Sequence, residues 1–115
     1  MKVIVTGSRD WDDYEVIHFA LASSGVSFVV EGGARGADRL ARQAAIALGI
    51  PYATVEAEWT RYGKAAGALR NQAMLDQHPD AAQVFAFPLP QSIGTLDMIR
   101  RSKDAGRIVV VWHRD

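Results

Sequence analysis

Residues 29–43, VVEGGARGADRLARQ, carry a greasy run into a corner and out into a helix. Gly32 and Gly33 stop the run, Arg35 and Gly36 follow, and Asp38 stands where a helical pattern begins. That pattern runs from about Gly36 to Leu48, with Ala37, Leu40, Ala41, Ala44 and Leu48 on its inner side, and Gly49 and Pro51 stop it. A buried strand turned by glycines into an amphipathic helix is half of a strand–helix–strand unit.

The unit recurs in both directions. KVIVT (2–6), SFVVE (27–31), YATVEA (52–57), QVFAF (83–87) and RIVVVW (107–112) are nearly continuous in apolarity and rich in β-branched or aromatic residues. Strands covered on both faces read this way. Helical patterns lie between them. The first follows Asp12, which has capping-box spacing to Glu15; Tyr14, Ile17 and Leu21 form its stripe and Gly25 ends it. The third covers about Lys64 to Gln77, and the fourth Thr95 to Ala105 with Gly106 as its cap. Strict alternation predicts a single α/β domain over residues 1–115, a three-layer sandwich on a five-stranded parallel sheet; of the doubly wound orders, the Rossmann-like 3-2-1-4-5 is the one expected. In such sheets ligands bind beyond the carboxyl ends of the strands, where the order reverses.

The whole-chain properties narrow the function. Thirteen Lys and Arg balance thirteen Asp and Glu, for a net charge of zero. That argues against nucleic acid as the partner, because gripping a phosphodiester backbone takes an excess of cations. There is no cysteine, which excludes disulfides, thiolate nucleophiles and thiolate-bound metals. His18, His78 and His113 have no ligand-type spacing, so no metal and no cofactor is expected. The apolar runs are too short to span a bilayer, and MKVIVTGS breaks at Gly7, too early for a signal peptide. A cytoplasmic location is the expectation.

The loops after the strands collect the polar and glycine residues: TGSRDWDD, EGGARGAD, AEWTRYGK and FPLPQSIGTLDM. Two uses are open to GGARGAD. It is either a tight turn with Asp38 favouring the helix N-terminus, or an anion seat. In the second case glycine backbone approaches the ligand, helix N–H groups bind it, and Arg35 adds a charged fork. It matches neither the dinucleotide fingerprint nor the Walker loop. TGSR and SIGT repeat the device on the same rim, which favours the anion seat. Candidate donors to a phosphate are Gly7, Ser8, Gly32, Gly33, Gly36, Gly94 and Thr95. Candidate charges are Arg70 and Arg35, then Arg9. Arg70 and Asn71 sit within AGALRNQAML (66–75), where an arginine beside an apolar stripe ordinarily snorkels to solvent. Asn71 and Asp38 are placed to hold ribose hydroxyls or to orient the arginines. Trp11, Trp59 and Tyr62 lie just past strand ends, to stack on a base or to close the rim of the core.

The order GSRDW, GGARGAD, RNQAM, GTLDM resembles, nearly from end to end, the SLOG superfamily of Rossmann-like proteins and its small YspA-like branch. GGARGAD is similar to the arginine-containing loop of DprA, a single-strand DNA-binding recombination mediator. RNQAM followed by GTLDM is similar to the Lonely Guy phosphoribohydrolases, in which an arginine precedes a methionine by four residues, as Arg70 precedes Met74. The resemblance implies a small nucleotide-derived ligand, a homodimer, and a phage or mobile-element setting. It also implies a catalytic glutamate where this chain has Met98. Asp97 is one residue earlier, about 100° away around a helix. The PGG of that family's loop is altered too: PLPQSIGT keeps Pro88, Gly94 and Thr95 but carries Leu89 and Pro90 where the glycines would lie.

The leading reading is a sensor or carrier of a nucleotide or nucleotide derivative. The alternatives are an N-glycosidic hydrolase of Lonely Guy type, with Arg70 and Asp97 as weak catalytic candidates and Asp38 and Glu31 as the other rim carboxylates, and DprA-like single-stranded DNA binding.

Overall fold

The structure, a computed structural model, describes residues 1–114. Strand β1 (Lys2–Gly7) is the centre of a five-stranded parallel sheet, with β2 (Phe28–Glu31) and then β3 (Tyr52–Thr54) on one side, and β4 (Gln83–Phe87) and then β5 (Ile108–Val111) on the other. The order β3-β2-β1-β4-β5 is the one expected. It reverses between β1 and β4, which pair in register from Val3↔Gln83 to Gly7↔Phe87.

Alternate residues of each strand feed opposite cores. Val3, Val5, Val29, Phe85 and Phe87 pack beneath α1 (Tyr14–Ser23) and α2 (Ala37–Leu48). Ile4, Val30 and Val84 pack beneath α4 (Ala66–Gln77) and α5 (Ile93–Asp104), against Met74, Leu75 and Met98. Both faces are covered, which is why β1, β2 and β4 read as unbroken apolar runs. α2 needs four alanines to lie so close to the sheet: Ala37, Ala41, Ala44 and Ala45 are fully buried.

Four boundaries differ from the sequence reading. The α1 cap is Asp13, whose carboxylate accepts the Val16 N–H at 3.3 Å, while Asp12 pairs with Arg114 at 3.0 Å. Burial of Trp11, whose Nε1 donates to the Asp13 carbonyl at 2.9 Å, fixes that register. The expected third helix is broken. A short α3 (Trp59–Tyr62) and a 3-10 turn (Gly63–Ala65) precede α4, because Gly63 takes a left-handed φ of +55°. β3 stops at Thr54, where its pairing with Glu31 of β2 ends. α5 begins at Ile93, two residues early, so that Gly94 and Thr95 lie inside its first turn.

Candidate functional site

Beyond the carboxyl ends of β1 and β4 the loops part around a cleft of about 470 Å³, bounded on its far side by α4 and the first turn of α5. The close packing at its floor depends on missing side chains. A Cβ on Gly7 would sit 2.9 Å from the Phe87 carbonyl, and one on Gly36, whose φ is +78°, would sit 2.5 Å from the Arg9 backbone. Those glycines let the three loops nest. The Ala37 N–H then reaches the Ser8 carbonyl at 3.1 Å.

Arg70 is the cation that folding places with most care. Its Nη1 donates to the Gly32 carbonyl at 2.7 Å and its Nε to Asn71 Oδ1 at 3.1 Å. Instead of snorkelling to solvent, it lies half-buried on the cleft wall. Gly32 makes room for it: a Cβ there would lie 2.7 Å from Arg70 Cζ and 2.9 Å from Asp38 Oδ2. Asn71 is buried and spends its amide holding the helices together, with Nδ2 on the Gly94 carbonyl (3.2 Å) and on Asp97 Oδ2 (3.1 Å).

The carboxylates divide into three environments. Glu31 is wholly buried and turned away from the cleft, accepting from Gly33 N–H, Thr54 and Arg42, whose Nε lies at 3.2 Å. Asp97 lines the cleft but is engaged by Asn71, by Arg101 Nε at 2.9 Å and by Arg100 at 2.8 Å. Burial alone would raise it, but the bonds from Asn71 and Arg101 and the charges of Arg101 and Arg100 outweigh that and hold it below its ordinary value. Asp38, also on the cleft, is pushed up by burial to about 6, against the nearby Arg70 charge and backbone hydrogen bonds from Ala34 and Gly32.

Three N–H groups of the GGARGAD corner have partners within the protein: Gly33 N–H with Glu31 at 2.6 Å, Ala34 N–H with Asp38 at 3.3 Å, and Ala37 N–H with Ser8. The N-terminus of α5 is different. Ser92, in the cap position, makes no cap bond to it; its hydroxyl instead accepts from Leu89 N–H at 3.0 Å. Gly94 faces open space, with no atom within 4 Å of where a Cβ would stand. The first-turn N–H groups of a helix have no partner inside the helix and carry its positive dipole end; here the Ile93 N–H turns back to the Gln91 carbonyl at 3.0 Å, while Gly94 and the buried Thr95 line the cleft.

Of the residues singled out from the sequence, Gly7, Ser8, Arg9, Arg35, Asp38, Arg70, Asn71, Gly94, Thr95 and Asp97 border this cleft. Gly32 and Gly33 border an adjoining hollow that shares Arg9, Arg35 and Arg70 with it. Gly36 borders neither and serves the packing of the loops. Ser8 is buried, its hydroxyl accepting the Asp10 N–H at 3.1 Å. Arg9 is exposed and stacks over Trp59 at 5.3 Å, and Arg35 reaches Asp10 at 3.4 Å. Trp11 closes the core edge-on against Phe87, whereas Trp59 lies on the cleft. Sequence reasoning missed Lys64, Gly67, Gln91 and Ile93, which also line it. Gln91, at a φ of +69°, is the one non-glycine residue with positive φ among the described residues, and nothing in its sequence context signals that.

The sequence and the fold, taken apart from the site, are met in known proteins. The profile of the YspA, cpYpsA-related SLOG family matches residues 1–62, from β1 through α3. The Gene 61 protein of Mycobacterium phage D29 is 37% identical over 119 residues, covering 95% of this chain and 94% of its own. The chain belongs to the YspA, cpYpsA-related SLOG family. Among solved structures, DNA processing protein A (DprA) from Streptococcus pneumoniae superposes with a TM-score of 0.76 at 20% identity. The match covers 96% of this chain and 49% of DprA, so this SLOG chain spans about half of that protein, and the likeness is one of fold. Among the described residues no group of His, Cys, Asp or Glu is placed to hold a metal ion, and no helix is long and apolar enough to cross a membrane.

Proposed function

We propose that this protein binds a nucleotide or nucleotide-derived molecule in the cleft between β1, α4 and α5 and acts as its sensor or carrier. The observation that carries the reading is the pairing of Arg70 with the first turn of α5 across one cleft. A guanidinium tethered on two sides faces an uncapped helix N-terminus whose Gly94 leaves the approach open. That is the chemistry of phosphate capture. Trp59 on the same wall offers a base an aromatic face. Membership of the SLOG family and the fold of a DNA-processing protein support a nucleotide- or DNA-related role. The homodimer expected from the resemblance has an apolar surface available to it in the exposed Leu69, Ile93 and Leu96 of α4 and α5. The binding test is native mass spectrometry with AMP, ADP-ribose, NAD and cyclic nucleotides, beside Arg70→Ala. The reading expects a retained adduct that the variant loses, and adducts of equal strength in both proteins would remove Arg70 from the site.

One observation favours a second reading, turnover of the nucleotide. Asp38 is a cleft carboxyl whose affinity for protons lies near neutrality, where general acid–base catalysis works. Release of free base from a nucleoside monophosphate, abolished by Asp38→Asn with binding kept, would select this reading over simple sensing. Asp97 is the poorer candidate, because three neighbours hold it ionised.

A further inference from the structure

Only one orientation of the Asn71 amide satisfies its surroundings. Its Nδ2 donates to two oxygens, the Gly94 carbonyl at 3.2 Å and Asp97 Oδ2 at 3.1 Å, while its Oδ1 accepts the Arg70 Nε–H at 3.1 Å. Turned over, the amide would set a donor against Arg70 and an acceptor against both oxygens. For a residue only 4% exposed, such a mismatch is costly. The acceptors on α5 therefore decide which end of Asn71 meets Arg70.

Asp97 is itself held from behind. The oxygen that takes the Asn71 bond, Oδ2, also accepts from Arg101 Nε at 2.9 Å, and Arg101 Nη1 donates to Gln72 Oε1 at 3.1 Å, back on α4. Oδ1 takes the bond from Arg100, whose side chain is 67% exposed. Arg101 and Gln72 border neither the cleft nor the hollow beside it. A chain of hydrogen bonds thus runs from Gln72 through Arg101, Asp97 and Asn71 to Arg70, with a branch from Asn71 to Gly94. It ties α4 to α5 beside the apolar packing of Met74 and Met98. Arg70 stands on one of these helices and the open N-terminus on the other, so the chain joins the two groups that would meet a phosphate.

We propose that Asp97 is a positioning residue: through Asn71 it holds the Arg70 guanidinium and the first turn of α5 at one spacing, and it does so with an oxygen and not with its charge. The consequence for a phosphate rests on the nucleotide reading above; the orientation of Arg70 does not. The cleft carboxylate nearest the α5 N-terminus thereby has a role other than proton transfer. Both bonds that matter fall on Oδ2. An asparagine supplies that oxygen to Asn71 and Arg101 alike, and its nitrogen falls where Oδ1 met the exposed Arg100. An alanine supplies nothing and leaves the Asn71 Nδ2 with the Gly94 carbonyl alone.

The test compares Asp97→Asn with Asp97→Ala, which lose the same charge and differ in the oxygen. The first readout needs no ligand. In nitrogen-15 NMR of the arginine side chains, the Arg70 Nε–H is expected as a slowly exchanging signal, identified by its absence from Arg70→Ala. Asp97→Asn should keep that signal and Asp97→Ala should lose it to exchange with water. Arg101→Met, which removes the support from outside the cleft, should speed the exchange as well, and it carries the test should Asp97→Ala fold poorly. The second readout is titration with AMP. Asp97→Ala should bind about two- to tenfold more weakly than Asp97→Asn, the cost of ordering one long side chain on binding. An Nε–H signal that survives in folded Asp97→Ala or Arg101→Met overturns the proposal. So does a signal lost from Asp97→Asn, which would make the charge the working part. Equal AMP affinity in the two Asp97 variants overturns the positioning of a phosphate and leaves nucleotide binding standing. If the native protein binds no AMP while the signal follows the oxygen, the nucleotide reading falls and the positioning of Arg70 stands.

Discussion

Gly94→Ala separates ligand binding from stability at a single atom. Gly94 has helical backbone, and no neighbour lies within 4 Å of the position its Cβ would take. Alanine there should therefore stabilise the helix, by about 0.5–1 kcal/mol. For a domain of this size that is a rise in Tm of about 2–4 °C. The same methyl leans towards the helix N-terminus, as every helical Cβ does, and so towards the proposed phosphate seat. Losing one backbone hydrogen bond to a charged group costs about 1.5–3 kcal/mol, or about 10- to 150-fold in Kd. The assay is a thermal melt and a titration with AMP on the same preparation. A protein that melts higher and binds worse is the expected result. Unchanged affinity with a raised Tm would show that no phosphate sits on α5. A lowered Tm would refute the claim that Gly94 has no packing duty.

Three further outcomes follow from particular contacts. Gly32→Ala should displace Arg70 from the Gly32 carbonyl, for a loss of about 1.5–3 kcal/mol in stability as well as weakened AMP binding, and a crystal structure of the variant would show the guanidinium moved. Asp38 binds its proton more tightly in the fold, at about 6, than in the unfolded chain, near 3.8. Its contribution to stability is therefore intact below about pH 4 and is lost as pH rises to 6, by about 3 kcal/mol; denaturant titrations should show Asp38→Asn gaining on the native protein by up to that amount between pH 4 and 7. Arg42→Ala leaves Glu31 charged and fully buried with only Gly33 and Thr54 to hold it, a loss of about 3 kcal/mol that urea unfolding would register.

The sequence by itself determined the fold. Covered strands show as unbroken apolar runs, and the glycines at their ends show as corners, so alternation of strand and helix gave the layers and the rim on which a site must lie. It also supplied the motif order by which SLOG membership is legible. It left three matters to the tertiary structure. GGARGAD, beside TGSR and SIGT on the same rim, reads as an anion seat more than as a turn until Glu31, Asp38 and Ser8 are seen to take up three of its N–H groups, partners that lie in the strand, in the helix and across the rim. Arg70 reads as a surface arginine until the Gly32 carbonyl, 38 residues away, draws it inward. Asp38 and Asp97 are both rim aspartates in the sequence, yet one is buried beside a single cation and the other is gripped by three neighbours, and that alone sets their affinities for protons apart. Each of these depends on groups distant along the chain, whose distances from one another exist only once the sheet has formed. Local pattern fixes which elements form and which way they face; the environment of a charge is a property of everything packed around it.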